Sequence, residues 1–223
     1  MAFVHKQGAV GSVSGGSTFN IVLPSNPTSG NLVCVGIAPQ VALAAITVTD
    51  SNNNSYTVTP DSPSTFESGA GEVWLFYLLS APSNATKTLT VSWTGSSNAA
   101  GWADEFSYTG TCFFDKDANG FSATNHTTIN SPSITPTNAN SLLYACAAAG
   151  GTITHPIAGA TLGSWTGSGG AITQGDMAEY DLSASSATAV DFTQTTGNWS
   201  SLAMAFYTSS IVIRELSLLG CGT

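Results

Sequence analysis

The chain has 223 residues, of which 42% are hydrophobic and only 8% are charged, and its formal net charge is −9. Its few cations are scattered along the chain, so they cannot form the basic surface that nucleic-acid phosphates or an anionic membrane require. They are Lys6, Lys87, Lys116 and Arg214. No apolar run approaches the roughly 20 residues that span a bilayer. The composition therefore predicts a protein with a sizeable core that binds neither nucleic acid nor membrane.

The surface composition bears on where the protein works. Ser, Thr, Asn and Gly take the place of charged residues, which is typical of proteins outside cells or inside packed assemblies. The first eight residues lack the apolar stretch of a secretory signal. Both features fit a viral protein that assembles in the host cytoplasm and resides in the virion. An extracellular protein whose signal was removed is the alternative.

The predicted elements are strands. Residues 19–23, 46–49 and 88–93 alternate between apolar and polar side chains, which is typical of half-buried strands. Residues 32–38 and 142–149 are apolar throughout, which predicts central strands covered on both faces or packed in an assembly. Clusters of Asn, Ser, Pro and Gly separate these runs and predict turns.

The same order of motifs recurs in the two halves of the chain, at an offset that falls from about 110 to about 98 residues. The matched pairs are residues 24–37 with 132–148, 72–77 with 176–181, 88–93 with 189–194, and 102–108 with 199–207. Generic strand and turn patterns are the alternative explanation. If the repeat is genuine, residues 22–110 and 132–208 form two half-sandwiches. Neither should bury its apolar face alone, so we expect them to pack face to face.

These patterns predict an all-β fold, an antiparallel, jelly-roll-like β-sandwich in a single domain over residues 1–208. Residues 209–223 follow as an added strand or as an assembly arm that pairs with a neighbouring subunit. The apolar side chains of this arm are Ile211, Ile213, Leu216 and Leu218.

One segment matches the opening of a calcium-binding loop. Asp115, Asp117 and Asn119 alternate along the chain and are followed by Gly120, and hard cations require several oxygen ligands at such positions. The twelfth position is His126 where the motif has a bidentate Glu. A polar loop without a metal is the simpler interpretation, and no other cofactor is expected. Residues 50–54 show a similar spacing, but a hairpin turn explains it.

Candidates for catalysis are sparse. The acids within strand-like segments could serve glycoside hydrolysis only at a defined separation, and a solvated strand face or a cross-strand hydrogen bond explains them better. They are Glu72, Asp104, Glu105, Asp176 and Glu179. His5, His126 and His155 are interpreted as isolated loop residues, and no nucleophile elbow is present. We therefore predict that the protein is not an enzyme.

The cysteines and tryptophans are read mainly as core residues. Cys34 and Cys146 lie in apolar runs and are expected to be buried, either as thiols or as a disulfide. Trp93, Trp102 and Trp199 occupy strand positions. Trp165 is flanked by Gly, Ser and Thr, so it is the candidate for stacking on a glycan.

Residues 30–36, 48–57 and 89–95 form a recognisable series of strand and turn motifs. The series resembles a broad group of jelly-roll-like β-sandwich proteins found among phage structural genes and bacterial surface modules, over about residues 3–208. The resemblance implies a non-enzymatic subunit of a phage-like particle, for capsid decoration or in the tail. Such a subunit would pack against its own copies as a homo-oligomer and against other particle proteins. A carbohydrate-binding or adhesion module is the alternative.

Overall fold

The alternating and apolar segments form strands throughout the computed structural model, which describes residues 3–65, 71–155, 161–162, 165–168 and 176–209. The first sheet contains β1 (Phe3–Val22), β2 (Leu32–Pro39), β3 (Ile46–Asp50), β4 (Thr57–Val58), β5 (Ser64–Thr65), β6 (Glu72–Leu78) and β7 (Thr88–Tyr108). The second contains β8 (Thr111–Ile129), β10 (Ser141–Ala149), β11 (Ile153–His155), β12 (Thr161–Leu162), β13 (Trp165–Ser168), β14 (Asp176–Ala184) and β16 (Phe192–Ser209). Two short strands, β9 (Ser133–Ile134) and β15 (Thr188–Ala189), pair with each other.

Every strand pair in the described part of the chain is antiparallel, and the two sheets face each other. The predicted all-β antiparallel sandwich is therefore confirmed, whereas its jelly-roll strand order is not. Within the described ranges, no helix has the length and apolar character needed to cross a bilayer.

The two sheets repeat one pairing order. In the first sheet the order is β1-β7-β2-β6-β4, and in the second the strands β8-β16-β10-β14-β13 pair in the same succession. The motif pairs found in the sequence fall on equivalent strands, such as β2 with β10. The sequence pattern matched Trp102 with Trp199, but the two residues are not equivalent in the sheets. Trp102 pairs with Gly36 in the middle of β2, while Trp199 pairs with Ala149 at the end of β10.

The buried apolar residues of the described ranges form three clusters. One lies between the sheets and draws on both of them, with Leu32, Trp102 and Phe106 from the first and Leu142, Tyr144 and Phe206 from the second. The other two lie within the separate halves. As a result β2 and β10 are buried at every position, which confirms their prediction as central strands. The two halves bury apolar side chains against each other in the first cluster, and each half also has a cluster of its own.

The clusters within the halves exist because the longest strands bend over them. In β7, residues 99–106 pair with β2, while residues 89–93 pair with β3 in a second layer. Gly101 lies inside the bend, where a Cβ atom would come within 2.7 Å of Ile37 and 3.0 Å of Ile21. A larger residue at this position would displace the ends of these side chains, so glycine lets them pack closely inside the bend.

The hairpin predicted after β3 is confirmed. Asn53 has a φ of 62°, and the Asp50 carboxylate accepts hydrogen bonds from the amides of Asn52, Asn54 and Thr86. Burial opposes ionisation of Asp50, but a hydrogen bond from the Asn54 side-chain amide and those from the three backbone amides outweigh it and hold the pKa of the carboxyl below its usual value. The alternating oxygens at this site therefore serve a turn.

Candidate functional site

A cluster of polar and aromatic side chains lies between the sheets, where β1 meets β14. The Asp104 carboxylate is 1% exposed, with one oxygen 2.8 Å from His5 Nε2 and the other accepting a 3.1 Å hydrogen bond from the Tyr144 hydroxyl. His5 stacks on Tyr180 at a ring-centroid distance of 4.7 Å and meets Phe106 edge-on at 5.4 Å. We name these five residues the polar seam cluster, since they join strands of both sheets.

Burial and the charge of Asp104 together raise the pKa values of the tyrosine hydroxyls and the cysteine thiol around it. Burial raises the pKa of the Tyr144 hydroxyl well above its usual value, and the Asp104 carboxylate raises it further. The same two causes, in the same order, raise the pKa of Tyr180 to about 12 and that of the Cys34 thiol well above its ordinary value. All three groups therefore stay protonated at neutral pH, and Tyr144 remains a hydrogen-bond donor to Asp104.

The His5 side chain is 28% exposed while its Asp104 partner is buried, so a carboxylate holds the imidazole in one orientation. In the described part of the chain, however, no Ser hydroxyl or Cys thiol is hydrogen-bonded to His5, so the pair has no adjacent nucleophile there. The arrangement chiefly provides partners for a buried charge at the seam between the sheets.

The matching place in the other half of the molecule is apolar. When β2 is aligned with β10 through their pairing partners, His5 corresponds to Phe114, Asp104 to Met204, Tyr144 to Cys34, Tyr180 to Tyr77 and Phe106 to Phe206. Tyr77 stacks on Phe114 at 5.0 Å and meets Phe206 edge-on at 5.4 Å. We name this second set the apolar seam cluster. The aromatic packing is the same in both clusters, and the buried carboxylate occurs in one of them.

The remaining buried acids are engaged by backbone amides and neighbouring side chains. Glu105 accepts hydrogen bonds from the Thr28 amide, the Asn31 side-chain amide and Gln7, which ties the loop after β1 to β7. Glu72 accepts from the Leu43 amide at 3.0 Å and from the Trp74 indole at 2.7 Å. These acids are buried and hydrogen-bonded, so the interpretation as a solvated strand face is wrong for them.

Glu179 is the exception among these acids. One carboxylate oxygen accepts a 2.9 Å hydrogen bond from the Asp191 amide, while the other is buried without a hydrogen-bond partner. Burial raises the pKa of Glu179 to about 8, the Asp191 amide opposes this shift, and the charges of Asp191 and Asp181 add to it. The group is therefore largely protonated at neutral pH, which avoids an unpaired buried charge.

The residues of the predicted calcium loop lie on β8, so the loop is a strand. The Asp115 carboxylate accepts hydrogen bonds from the amide and hydroxyl of Thr137, and Asp117 accepts one from the Asp61 amide. Asn119 is exposed. Within the described ranges, no group of three or more His, Cys, Asp or Glu side chains is placed to hold a metal. Calcium binding stays a prediction that this extended geometry does not favour.

The tryptophans at strand positions are core residues, as predicted. Trp93, Trp102 and Trp199 are buried. Trp165 begins β13, but its side chain lies outside the described residues, so its glycan contact stays a prediction. The arm residues Ile211, Ile213, Leu216 and Leu218 also lie outside the described residues.

The structure places two of the cysteines and one of the histidines that the sequence singled out. Cys34 and Cys146 are buried thiols at the seam, so the hydrophobic interpretation is confirmed over the disulfide. The interpretation of His5 as an isolated loop residue is wrong, since it lies on β1 and contacts Asp104. The sequence signal that pointed to this place was a pair of acids at 104–105 inside an otherwise apolar strand.

The longest surface features are two edge strands. β1 extends over 20 residues and β8 over 19, and each pairs along only one side with another described strand. β1 contacts β14 and β8 contacts β5, so the two strands lie at opposite edges of the sandwich. Lys6 is the only Lys, Arg, Asp or Glu in β1. Unpaired strand edges with few charges are templates for pairing with another chain.

Fold and site together define an antiparallel β-sandwich with a buried polar seam and two open edges. No family model matches the chain, and no curated protein matches it in a sequence search.

Proposed function

We propose that the protein is a non-enzymatic structural subunit of a phage-like particle, in capsid decoration or in the tail, and that it acts by packing against copies of itself and other particle proteins. The observation that carries this proposal is the pair of long edge strands, β1 and β8, at opposite edges of one sandwich. A subunit with contact surfaces at opposite edges can touch two neighbours at once. Repetition of that contact builds a ring or an array.

The charge of the chain supports this use. Only 8% of its residues are charged, so many copies can pack closely with few ionised groups to desolvate. The buried acids support it as well, because they accept hydrogen bonds that hold strands and loops together, and only the second oxygen of Glu179 is without a partner among the described buried acids. The polar seam cluster likewise fits a rigid scaffold rather than an active site.

The first test is the assembly state of the full chain. We expect multi-angle light scattering to show an oligomer or a concentration-dependent association. A matched chain that ends at Ser209 lacks the arm with Ile211, Ile213, Leu216 and Leu218. If the arm contributes, the shorter chain associates more weakly while its thermal unfolding is unchanged.

A strictly monomeric full chain that also fails to bind purified particles would overturn the proposal. A signal on a glycan array that Trp165→Ala abolishes would instead support a carbohydrate-binding module. Equal association of the long and short chains would remove the arm from the proposal and leave the edge strands as the contact.

A further inference from the structure

We infer that residues 121–128 of β8 form a self-association edge, which pairs antiparallel with the same residues of a second copy. This inference rests on the proposed function and names the surface and the partner. It starts from Phe121, which at 63% exposure is the most exposed large hydrophobic side chain in the described part of the chain. Exposed aromatic residues are typical anchors of protein interfaces.

The first half of β8 is already covered by another part of the chain. The Asp61 amide donates to the Asp117 carboxylate, and the Ser64 hydroxyl donates a 3.1 Å hydrogen bond to the Gly120 carbonyl. These contacts end at Gly120. Residues 122–128 are mostly exposed and have no strand beyond them among the described residues, so the edge of β8 is open here except at Thr124, whose amide and carbonyl bond the Ser122 hydroxyl.

The charges favour a second copy as the partner. Residues 118–128 contain no Lys, Arg, Asp or Glu, although the whole chain carries a formal charge of −9. Two copies can therefore approach along this edge without placing like charges opposite one another. A basic partner would need acidic contacts, and this edge offers none.

The side chains of the edge suit a strand pair. Ser122, Thr124 and His126 form a hydrogen-bonded row, with 3.1 Å between the two hydroxyl oxygens and 3.0 Å between Thr124 and the His126 ring. This row orders the edge before a partner arrives. An antiparallel pair formed with an identical edge is two-fold symmetric, so each copy offers the other the same surface.

A contact of one short strand and one aromatic residue is small, so we expect association in the micromolar range or weaker. Sedimentation velocity of the full chain over a wide concentration range should show a monomer–dimer equilibrium or a larger assembly. Phe121→Ser and, separately, Thr124→Lys should weaken the association about tenfold or more. The second change places two ammonium groups near the symmetry axis.

Phe113→Ser is the matched control, because Phe113 lies on the same strand and is 39% exposed but stacks on Tyr207. It should associate as the wild type does, and thermal unfolding of all variants shows whether they remain folded. If the wild type associates and both edge variants associate equally well, this inference is wrong while the proposed function stands. If the folded wild type never associates, this inference is wrong, and the proposed function fails as well when the chain also binds no purified particle.

Discussion

The two seam clusters occupy equivalent places in the two halves and differ in chemistry. Both stack a tyrosine on a second ring and set a phenylalanine edge-on against it, at closely similar distances. In the polar cluster the ring is His5, and Asp104 lies beside it. In the apolar cluster these places hold Phe114 and Met204. The backbone pairing is the same in both clusters, so the buried carboxylate of Asp104 depends on the hydrogen-bond donors that neighbouring strands supply in the polar cluster.

The largest loss of stability is expected when a carboxylate is placed in the apolar seam cluster. Met204 is fully buried, and the matching donors of the polar cluster are replaced there by Phe114 and Cys34. Met204→Asp should therefore reduce the free energy of unfolding by about 5 kcal/mol or more, the order expected for an unpaired buried charge. Urea denaturation at pH 7 measures this.

Met204→Leu is the control for that substitution and should cost less than about 1.5 kcal/mol, because the volume changes little. A cost below about 1 kcal/mol for Met204→Asp would show that water reaches the seam. The two clusters would then differ in solvent access rather than in hydrogen-bond donors.

A second contrast between the halves concerns Glu179, which lies where the first half has Phe76. The folded-state pKa of Glu179, about 8, lies above that of an exposed carboxyl, so the folded state binds the extra proton. The contribution of Glu179 to stability should be greatest below about pH 4.5 and should fall as pH rises to about 8, by roughly 3 kcal/mol between pH 5 and pH 8.

Glu179→Gln removes the titrating group, so the variant should lose this part of the pH dependence and gain stability relative to the wild type as pH rises. Denaturation curves at several pH values, compared between the two chains, isolate the contribution. Parallel pH profiles for the two proteins would mean that Glu179 ionises normally and that water or another donor reaches its second oxygen.

The smallest loss of stability is expected from a substitution in the polar seam cluster itself. His5→Phe copies the residue of the apolar cluster and takes one partner from Asp104, which should cost about 2 kcal/mol because the site is partly open to water. If the cost arises from the carboxylate charge, His5→Phe combined with Asp104→Asn should recover at least half of it. A double-mutant cycle with Asp104→Asn alone measures the coupling, and additive effects would show that His5 and Asp104 act independently.

Much of the fold followed from residue patterns that depend only on local geometry. Residues 32–38 and 142–149 are continuously apolar and are bounded by turn residues, which is typical of a strand covered on both faces. The hairpin at residues 50–55 followed from asparagines that tolerate positive φ. The repeat was visible as a succession of motifs. Its residue alignment failed at Trp102 and Trp199, because strand register depends on bulges and pairing partners that the sequence does not display.

The candidate site was harder to predict because its members are far apart in the chain. His5 and Asp104 are 99 positions apart, and Tyr144 lies on the facing sheet. The spacing of Asp115, Asp117 and Asn119 suggested a loop around an ion, but β8 extends these residues along a strand instead. A short motif specifies which side chains are present, whereas the backbone conformation decides whether they converge.

The sequence alone determined that the protein is an all-β sandwich with a low-charge surface, since side-chain alternation and composition act locally and need no partner. The tertiary structure alone decided which acids are buried, which donors reach them and which strand edges stay open. These properties depend on distances between segments brought together only by sheet packing, where one residue of register moves a side chain to the opposite face.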